Sequence, residues 1–357
     1  MEKKIKIAIV TDSLRLYGGL ERQLEGIMEL FPNADIFTTY YIKENLPESF
    51  KKFNIIESKH SRLLKKLSSF GVPLYPISFE NFSFSGYDLV LSITSGFAKD
   101  INTDSVRHIS YILTPPRFLW NLPNSTQDRI KYKFPLELIN NYLRLKDFYS
   151  AESLDNIISS SNAVRLRVKK FYRKDSRVLY PFVDTDKFNM TEDFSCDGNF
   201  LIISRLEKYK NIDVAIKVFN KLSKRLDIIG DGKYRKYLES ISDKRYIKFY
   251  GNIEDESMIK IMNRSKALIF PGAEDFGLTP IEALACGKPV IALKKDGVLE
   301  SVLEGKTGYF FENELELERI INNFDNLDID KSECRKNSLR FSKKSFNHNL
   351  INILSNT

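Results

Sequence analysis

Short apolar runs alternate along the chain with longer polar segments of helical period. Five runs come first: Ile5–Val10, Ala34–Tyr41, Leu89–Ile93, His108–Leu113 and Asn156–Ser160. After a gap come Phe200–Ser204, Arg225–Ile229, Ile247–Tyr250, Ala267–Phe270 and Pro289–Ala292. Most are rich in Ile, Val, Leu or Phe, the pattern of strands covered on both faces of a parallel sheet. Amphipathic stretches between them predict right-handed βαβ crossovers. The chain therefore reads as α/β, with two facing Rossmann-like, doubly wound parallel-sheet domains and a cleft between them. The boundary falls where Pro181 interrupts regular structure and Met190–Asn199 turns polar, giving domains over 1–184 and 197–338. An apolar stripe of Leu339, Phe346, Leu350 and Ile353 predicts a last helix over 339–354 that packs back onto the first domain.

Length agrees with this division, since 357 residues exceed one ordinary core. An apolar fraction of 42% and a charged fraction of 29% are those of a soluble globular enzyme. No uninterrupted apolar stretch approaches the length of a membrane span, and the run after Lys4 is too short for a signal peptide. Cys196, Cys286 and Cys334 are odd in number and widely spaced, with neither disulfide nor metal spacing, which points to a reduced cytoplasmic setting.

The net charge of +8 changes the picture because it is uneven. Residues 1–190 hold 28 Lys and Arg against 21 Asp and Glu, and the remainder is nearly balanced. Two basic clusters stand out, Lys51 to Lys66 and Arg165 to Arg177. Each reads either as a solvated helix face or as a patch for an anionic partner, such as a membrane surface on the inner face of the cell membrane or a phosphorylated acceptor. The short basic segment Ser61–Phe70 is amphipathic and fits a packed surface helix or an interfacial one. Nucleic acid is not expected, because no recognition motif or aromatic-interleaved basic strip accompanies the charge.

Three motifs carry candidate chemistry. In Phe270-Pro-Gly-Ala-Glu-Asp-Phe-Gly-Leu-Thr-Pro-Ile-Glu282 a strand ends, a loop follows, and Thr279-Pro280 reads as the N-cap and first residue of a helix. Glu282 then falls in the first turn, with Glu274 eight residues earlier. A helix N-terminus suits a diphosphate, Gly277 permits close backbone approach, and two carboxylates beside an anion suit the hydroxyls of a sugar. In Ser204-Arg-Leu-Glu-Lys-Tyr-Lys-Asn211, Arg205 and Lys210 emerge at a strand's carboxyl end as a diphosphate clamp. Gly230-Asp-Gly232 forms a tight turn after another strand. Thr11-Asp-Ser-Leu-Arg-Leu-Tyr-Gly-Gly-Leu-Glu-Arg22 places Gly18-Gly19 between a strand and a helix. It is neither a phosphate-binding P-loop nor a dinucleotide fingerprint.

These motifs, with Gly287-Lys-Pro-Val290 and Gly305-Lys-Thr-Gly308, resemble in order and spacing the retaining glycosyltransferases of family 4, which have the GT-B fold. The segments Asp88–Lys99 and Tyr111–Trp120 are similar to the branch that builds O-antigen and related surface polysaccharides, often mannosyl- or rhamnosyltransferases. The resemblance implies that Arg205 and Lys210 hold the donor diphosphate and that Glu282 holds the ribose. Glu274 and the backbone of Phe276, Gly277, Leu278 and Thr279 would hold the transferred sugar, with Ile253 near the base. Glu274, Arg205 and Lys210 would carry catalysis. Gly18, Gly19, Ser95, Thr114 and Arg117 would lie on the acceptor side, with Gly19 also near the diphosphate. The co-substrate is a nucleotide diphosphate sugar, the acceptor a glycan or a polyprenyl or other lipid-linked hydroxyl, and no cofactor or metal is required. One position departs from the branch: Leu113 stands where it commonly has His, and His108 lies five residues earlier.

Other readings bear on the same residues. Asp184-Thr-Asp186 and Asp328-Ile-Asp330 have the spacing of metal-binding pairs, but neither follows a donor-side strand, so both are expected to be surface acids. Three histidines and no nucleophile elbow leave no hydrolytic triad. A non-catalytic nucleotide-sugar-binding homologue, or a scaffold of the same fold, is the alternative that Leu113 keeps open. A nucleotide-sugar epimerase would not need Glu274 and Glu282 in this setting.

Overall fold

The computed structural model describes residues 5–120, 122, 136–154, 156–191 and 197–355. The chain forms two compact units, Met1–Tyr180 with Asn347–Thr357, and Pro181–Phe346.

The first unit is built on seven parallel strands: β1 (Ile7–Thr11), β2 (Asp35–Thr38), β3 (Ile55–Glu57), β4 (Leu89–Thr94), β5 (Arg107–Ile112), β6 (Asn156–Ser159) and β7 (Arg177–Val178). Their spatial order is β3-β2-β1-β4-β5-β6-β7. All five residues of β1 and all six of β4 are buried, as central strands covered on both faces require. The connecting helices are α1 (Gly19–Leu30), α2 (Ser61–Leu67), α3 (Tyr75–Phe79), α4 (Leu136–Glu152) and α5 (Asn162–Tyr172). Ser161 caps α5 by accepting the Val164 N–H at 3.1 Å, and Arg173 ends it in the left-handed conformation. On one side of the sheet Phe37 meets Phe82, Phe84 and Tyr87 edge to face. Beneath α4 and α5 a second cluster holds Ile112, Ala151, Leu154, Ile157, Val164, Val168 and Tyr172.

The second unit has six parallel strands, β8 (Phe200–Ile203), β9 (Leu226–Ile229), β10 (Ile247–Gly251), β11 (Leu268–Phe270), β12 (Val290–Leu293) and β13 (Gly308–Phe311), in the order β10-β9-β8-β11-β12-β13. Its helices are α6 (Ile212–Leu222), α7 (Arg235–Ser240), α8 (Asp255–Arg264), α9 (Leu278–Ala285), α10 (Val298–Ser301), α11 (Glu314–Asn323) and α12 (Lys331–Ser338). The last helix, α13 (Lys343–Ser355), begins in this unit and ends in the first, where Leu354 accepts the Arg107 guanidinium at 2.9 Å. It starts later than the expected 339, because Leu339–Phe341 forms a separate 3₁₀ turn. Phe346 and Leu350 of the expected stripe are buried, whereas Leu339 is exposed.

Three strands, β3, β7 and β13, were not apparent in the hydrophobic pattern. Each lies at a sheet edge, two have only two or three residues, and the third opens on Gly308. A side chain at Gly308 would put its Cβ 1.9 Å from the Val290 carbonyl oxygen, so the Gly305-Lys-Thr-Gly motif is a close strand approach. Among the described residues no helix is long and apolar enough to cross a membrane. Cys286 and Cys334 are free and buried, and Cys196 lies outside the described residues.

Candidate functional site

Both sheets reverse strand order beside their first strand, and the loops at such a switch point are where open α/β sheets take ligands. In the second unit the switch point lies between β8 and β11. Lys210, from the loop after β8, forms an ion pair there with Glu274, from the loop after β11. The Lys210 side chain is nearly enclosed, while that of Glu274 keeps about a third of its surface, at 32%. Gly272 makes this meeting possible: a Cβ there would sit 3.3 Å from the backbone of Lys210. Arg205 is exposed at the same strand end, with its guanidinium on the Tyr209 hydroxyl at 2.8 Å.

The Gly230-Asp-Gly232 turn holds this loop in place. A Cβ at Gly230 would lie 2.0 Å from the Ser204 carbonyl oxygen, and one at Gly232 would lie 2.3 Å from that of Leu206. Leu206 N–H in turn donates to the Asp231 carbonyl at 3.0 Å. Glycine is therefore demanded by the backbone of the Arg205 loop itself. Asp231 accepts from Arg235 at 2.9 Å, and together these interactions fix the carboxyl ends of β8 and β9. Ile253 follows Gly251-Asn252 at the end of neighbouring β10 and is partly exposed.

Helix α9 starts earlier than the Thr279-Pro280 signal predicts. Gly277 is its N-cap at φ 84°, Leu278 is the first helical residue, and Pro280 is the third. Pro is tolerated there because the first backbone donors of a helix have no intrahelical partner in any case. Glu282 is thus the fifth helical residue, beyond the first turn, and is buried. Phe276 and Gly277 are buried too, and a Cβ at Gly277 would press on the Phe270 ring at 3.2 Å.

One support of this loop was missed in the sequence. Gly297 N–H donates to the Glu274 carbonyl at 3.0 Å, and Glu274 bridges to Asp296. A Cβ at Gly297 would lie 2.3 Å from the Asp275 carbonyl oxygen. The Asp296-Gly297 dipeptide after β12 was the available signal, a turn pair that clamps the loop carrying Glu274.

The first unit has its own switch point, between β1 and β4. Asp12, just beyond β1, accepts the N–H groups of Ser95, Phe97 and Ala98 at 2.7, 3.0 and 3.1 Å, and the Thr94 hydroxyl at 3.1 Å. Burial pushes its carboxyl above the ordinary range, against the pull of those donors. The sequence offered no sign of this, because the donors are backbone groups over 80 residues away. Gly18 caps α1, and its N–H donates to Glu21 at 3.0 Å. Of the other residues assigned to the acceptor side, Ser95 is exposed, Thr114 buried with its hydroxyl on the Pro115 carbonyl, and Arg117 partly exposed. Behind them Lys99 and Asp147 form a fully buried ion pair, with Trp120 and Tyr172 donating to Asp147 at 2.6 and 2.8 Å.

His108 lies near the amino end of β5, one residue into the strand, and shares a hydrogen bond with Ser92 at 2.8 Å. It is therefore at the far end of the sheet from the loops and does not replace the residue at Leu113. The two acidic pairs are local structure: Asp184 accepts the N–H groups of Asp186 and Lys187, and Asp330 caps α12.

Two parallel-sheet α/β units, each with its loops gathered at a switch point, define the GT-B architecture. Anabaena HepE, solved in complex with UDP, shares it at a TM-score of 0.72 and 17% identity, covering 99% of this chain and 100% of that one. Residues 191–344, which fall within the second unit, match the family Glycosyl transferases group 1. The alpha-1,3/1,6-mannosyltransferase ALG2 of Dictyostelium discoideum is 24% identical over 226 residues, 50% of this chain and 52% of that protein. The uncharacterized glycosyltransferase MJ1178 of Methanocaldococcus jannaschii is 27% identical over 205 residues, 55% and 57% of the two chains. The chain thus aligns with about half the length of these curated relatives.

Proposed function

We propose that this chain transfers a hexose, with retention, from a nucleoside diphosphate sugar to a hydroxyl of a glycan or lipid-linked acceptor in cell-surface polysaccharide synthesis. The observation that carries the reading is the Lys210–Glu274 pair at the second switch point, with Arg205 on the same strand end. The mannosyltransferase among the relatives makes mannose the first sugar to test. In this reading a diphosphate takes Lys210 from Glu274, which frees the carboxylate for a sugar hydroxyl, and buried Glu282 takes the ribose.

The acceptor oxygen attacks the anomeric carbon as the bond to the diphosphate breaks, on the same face. Arg205, Lys210 and the N–H groups at the start of α9 offset the charge growing on the leaving group. A leaving phosphate oxygen takes the acceptor proton, so neither a protein base nor a metal ion enters. The acceptor side falls to the first unit, whose loops carry Gly18, Gly19, Ser95, Thr114 and Arg117, and whose basic surface suits contact with an anionic membrane.

A thermal-shift panel of nucleotide sugars, with UDP as a probe, identifies the donor, because ligand bound to the folded state raises stability by mass action. A selective shift that disappears in Glu282→Ala is the expected result. In a transfer assay with chelator present, Lys210→Ala should lose ~10²–10³-fold in turnover. Near-wild-type rates in both Lys210→Ala and Arg205→Ala sink the mechanism. Leu113 favours one second reading, a homologue that binds donor without turning it over. Slow donor hydrolysis in the absence of acceptor separates the two.

A further inference from the structure

Helix α4 carries apolar side chains on its outer side as well as its inner one. Its inward side buries Leu143, Asp147, Ser150 and Ala151, and the charge of Asp147 is met inside by Lys99. Its outward side presents Leu138, Tyr142, Leu145 and Tyr149, exposed at 55%, 53%, 57% and 61%. Steps of four, three and four residues keep these side chains on one narrow stripe, ~17 Å long at 1.5 Å per residue. An ordinary surface helix turns such residues inward, and an exposed apolar stripe of this size marks something that covers it.

What covers it is indicated by the next helix. Helices α4 and α5 lead from β5 to β6 and from β6 to β7, successive steps in one direction, so right-handed crossovers put them on the same side of the sheet. They share one buried cluster, and Arg173 at the end of α5 lies over the Phe148 ring of α4 at 6.0 Å. The outer face of α5 is exposed and basic, with Arg165, Lys170 and Arg173, and Leu166 stands among them at 65% exposure. An apolar stripe with amphipathic aromatics, flanked by a basic helix, is the composition of a surface that lies in the interface of an anionic bilayer. A second copy of the chain seated on this face would bring like charges together, whereas anionic headgroups neutralise them.

We propose that the α4–α5 face docks on anionic lipid, with the α4 stripe seated at the headgroup boundary and the α5 cations on the headgroups. This rests on the membrane contact proposed above, and it assigns that contact to this face instead of the Ser61–Phe70 segment. In that segment Leu64 is buried, while Leu63 and Phe70 are exposed.

The test is flotation of the full chain with vesicles of phosphatidylcholine alone, or of equal parts phosphatidylcholine and phosphatidylglycerol. Wild type should float with the anionic vesicles only. Tyr142→Ser with Leu145→Ser, and separately Arg165→Glu with Lys170→Glu, should each reduce the bound fraction on the order of tenfold. All of these side chains are exposed, and an unchanged melting temperature shows that the variants fold. Tyr142→Trp should be quenched by brominated lipid. No flotation of wild type overturns membrane contact altogether. Flotation that Leu63→Ser with Phe70→Ser abolishes, but the α4 and α5 variants do not, overturns this surface alone. A concentration-dependent dimer lost in the α4 variant, without flotation, gives the face to a second copy and overturns the proposal.

Discussion

The two sheets reverse strand order at the same relative place, yet their switch points are filled with opposite charge. At the first, the Asp12 carboxylate already occupies the position of an anion, ringed by three backbone N–H groups of the loop after β4. A Cβ at Gly96 would sit 2.9 Å from its oxygen, which shows how tightly that loop wraps it. At the second, a lysine stands at the strand end, and its carboxylate partner comes from a loop held by Gly272 and Gly297. A phosphate brought to the first site meets a seated carboxylate; at the second it competes with Glu274 for a cation. Topology thus sets where a ligand binds in such a fold, and a few side chains decide whether the place is already taken.

The contrast extends to the two lysine pairs, and the largest expected effect comes from breaking the enclosed one. Lys99 and Asp147 are 1% and 0% exposed, whereas Glu274 is open to solvent. Lys99→Met strands a buried carboxylate with the Trp120 and Tyr172 donors, at a cost of roughly 3–5 kcal/mol in stability of the first unit. The chain's single tryptophan is Trp120, which stacks on Phe171 at 4.8 Å and so reports that unit's unfolding directly. A loss below about 1 kcal/mol in denaturant titrations followed by its fluorescence shows that the pair contributes little. Lys210→Met, by contrast, should leave the Trp120 transition in place and remove turnover.

A second titratable group of the first unit gives a smaller effect with a defined sign. Burial lowers His108 from 6.5 to about 4, so the folded state holds it neutral. Between those two values the unfolded chain binds the proton and the folded chain does not. Its contribution is therefore complete above pH 6.5 and is lost as pH falls toward 4. The ceiling is ~3 kcal/mol, less for a ring that keeps some solvent contact. Asp12 and Glu21, both raised by burial, act in the opposite direction as pH falls. The informative quantity is thus the difference between wild type and His108→Gln across this range. Parallel pH profiles would show that the ring is solvated enough to titrate normally.

What could be read in the sequence followed from what each element needs. Central parallel strands must be continuous apolar runs, so all nine of them stood out, along with the edge strand β10, whereas β3, β7 and β13 are short or half-covered edges that need no such run. Lys210, Glu274 and the Gly-Asp-Gly turn were legible because side chains and glycines carry the geometry. Asp12 and Gly297 were not, because their partners are backbone groups that every residue possesses. The start of α9 was misplaced because Thr279-Pro280 has the composition of a cap, while the conformation of Gly277 sets the actual beginning. Helix α4 was illegible as a surface helix: with apolar residues facing outward and an ionised one inward, it has no single apolar side to read.

Glycine itself gives the finest form of the comparison, and the smallest expected effect. At Gly230 the fold leaves no room for a side chain, but at Gly18 it does. There φ is −148°, open to any residue, and the nearest atom to an added Cβ is Glu21 Oε2 at 3.4 Å. Gly18→Ala loses some N-cap preference and gains from a less flexible unfolded chain, two effects of opposite sign that should leave stability within ~1 kcal/mol. If the glycine is there so that the loop's backbone can approach the acceptor or the diphosphate, turnover falls more than tenfold while the melting temperature barely moves. Unchanged turnover makes it an ordinary helix cap and removes Gly18 from the acceptor side. A loss of stability beyond that range would mean that the loop after β1 is packed more tightly than its geometry indicates, and that Gly18 joins Gly96 as a glycine of the first switch point with no room to spare.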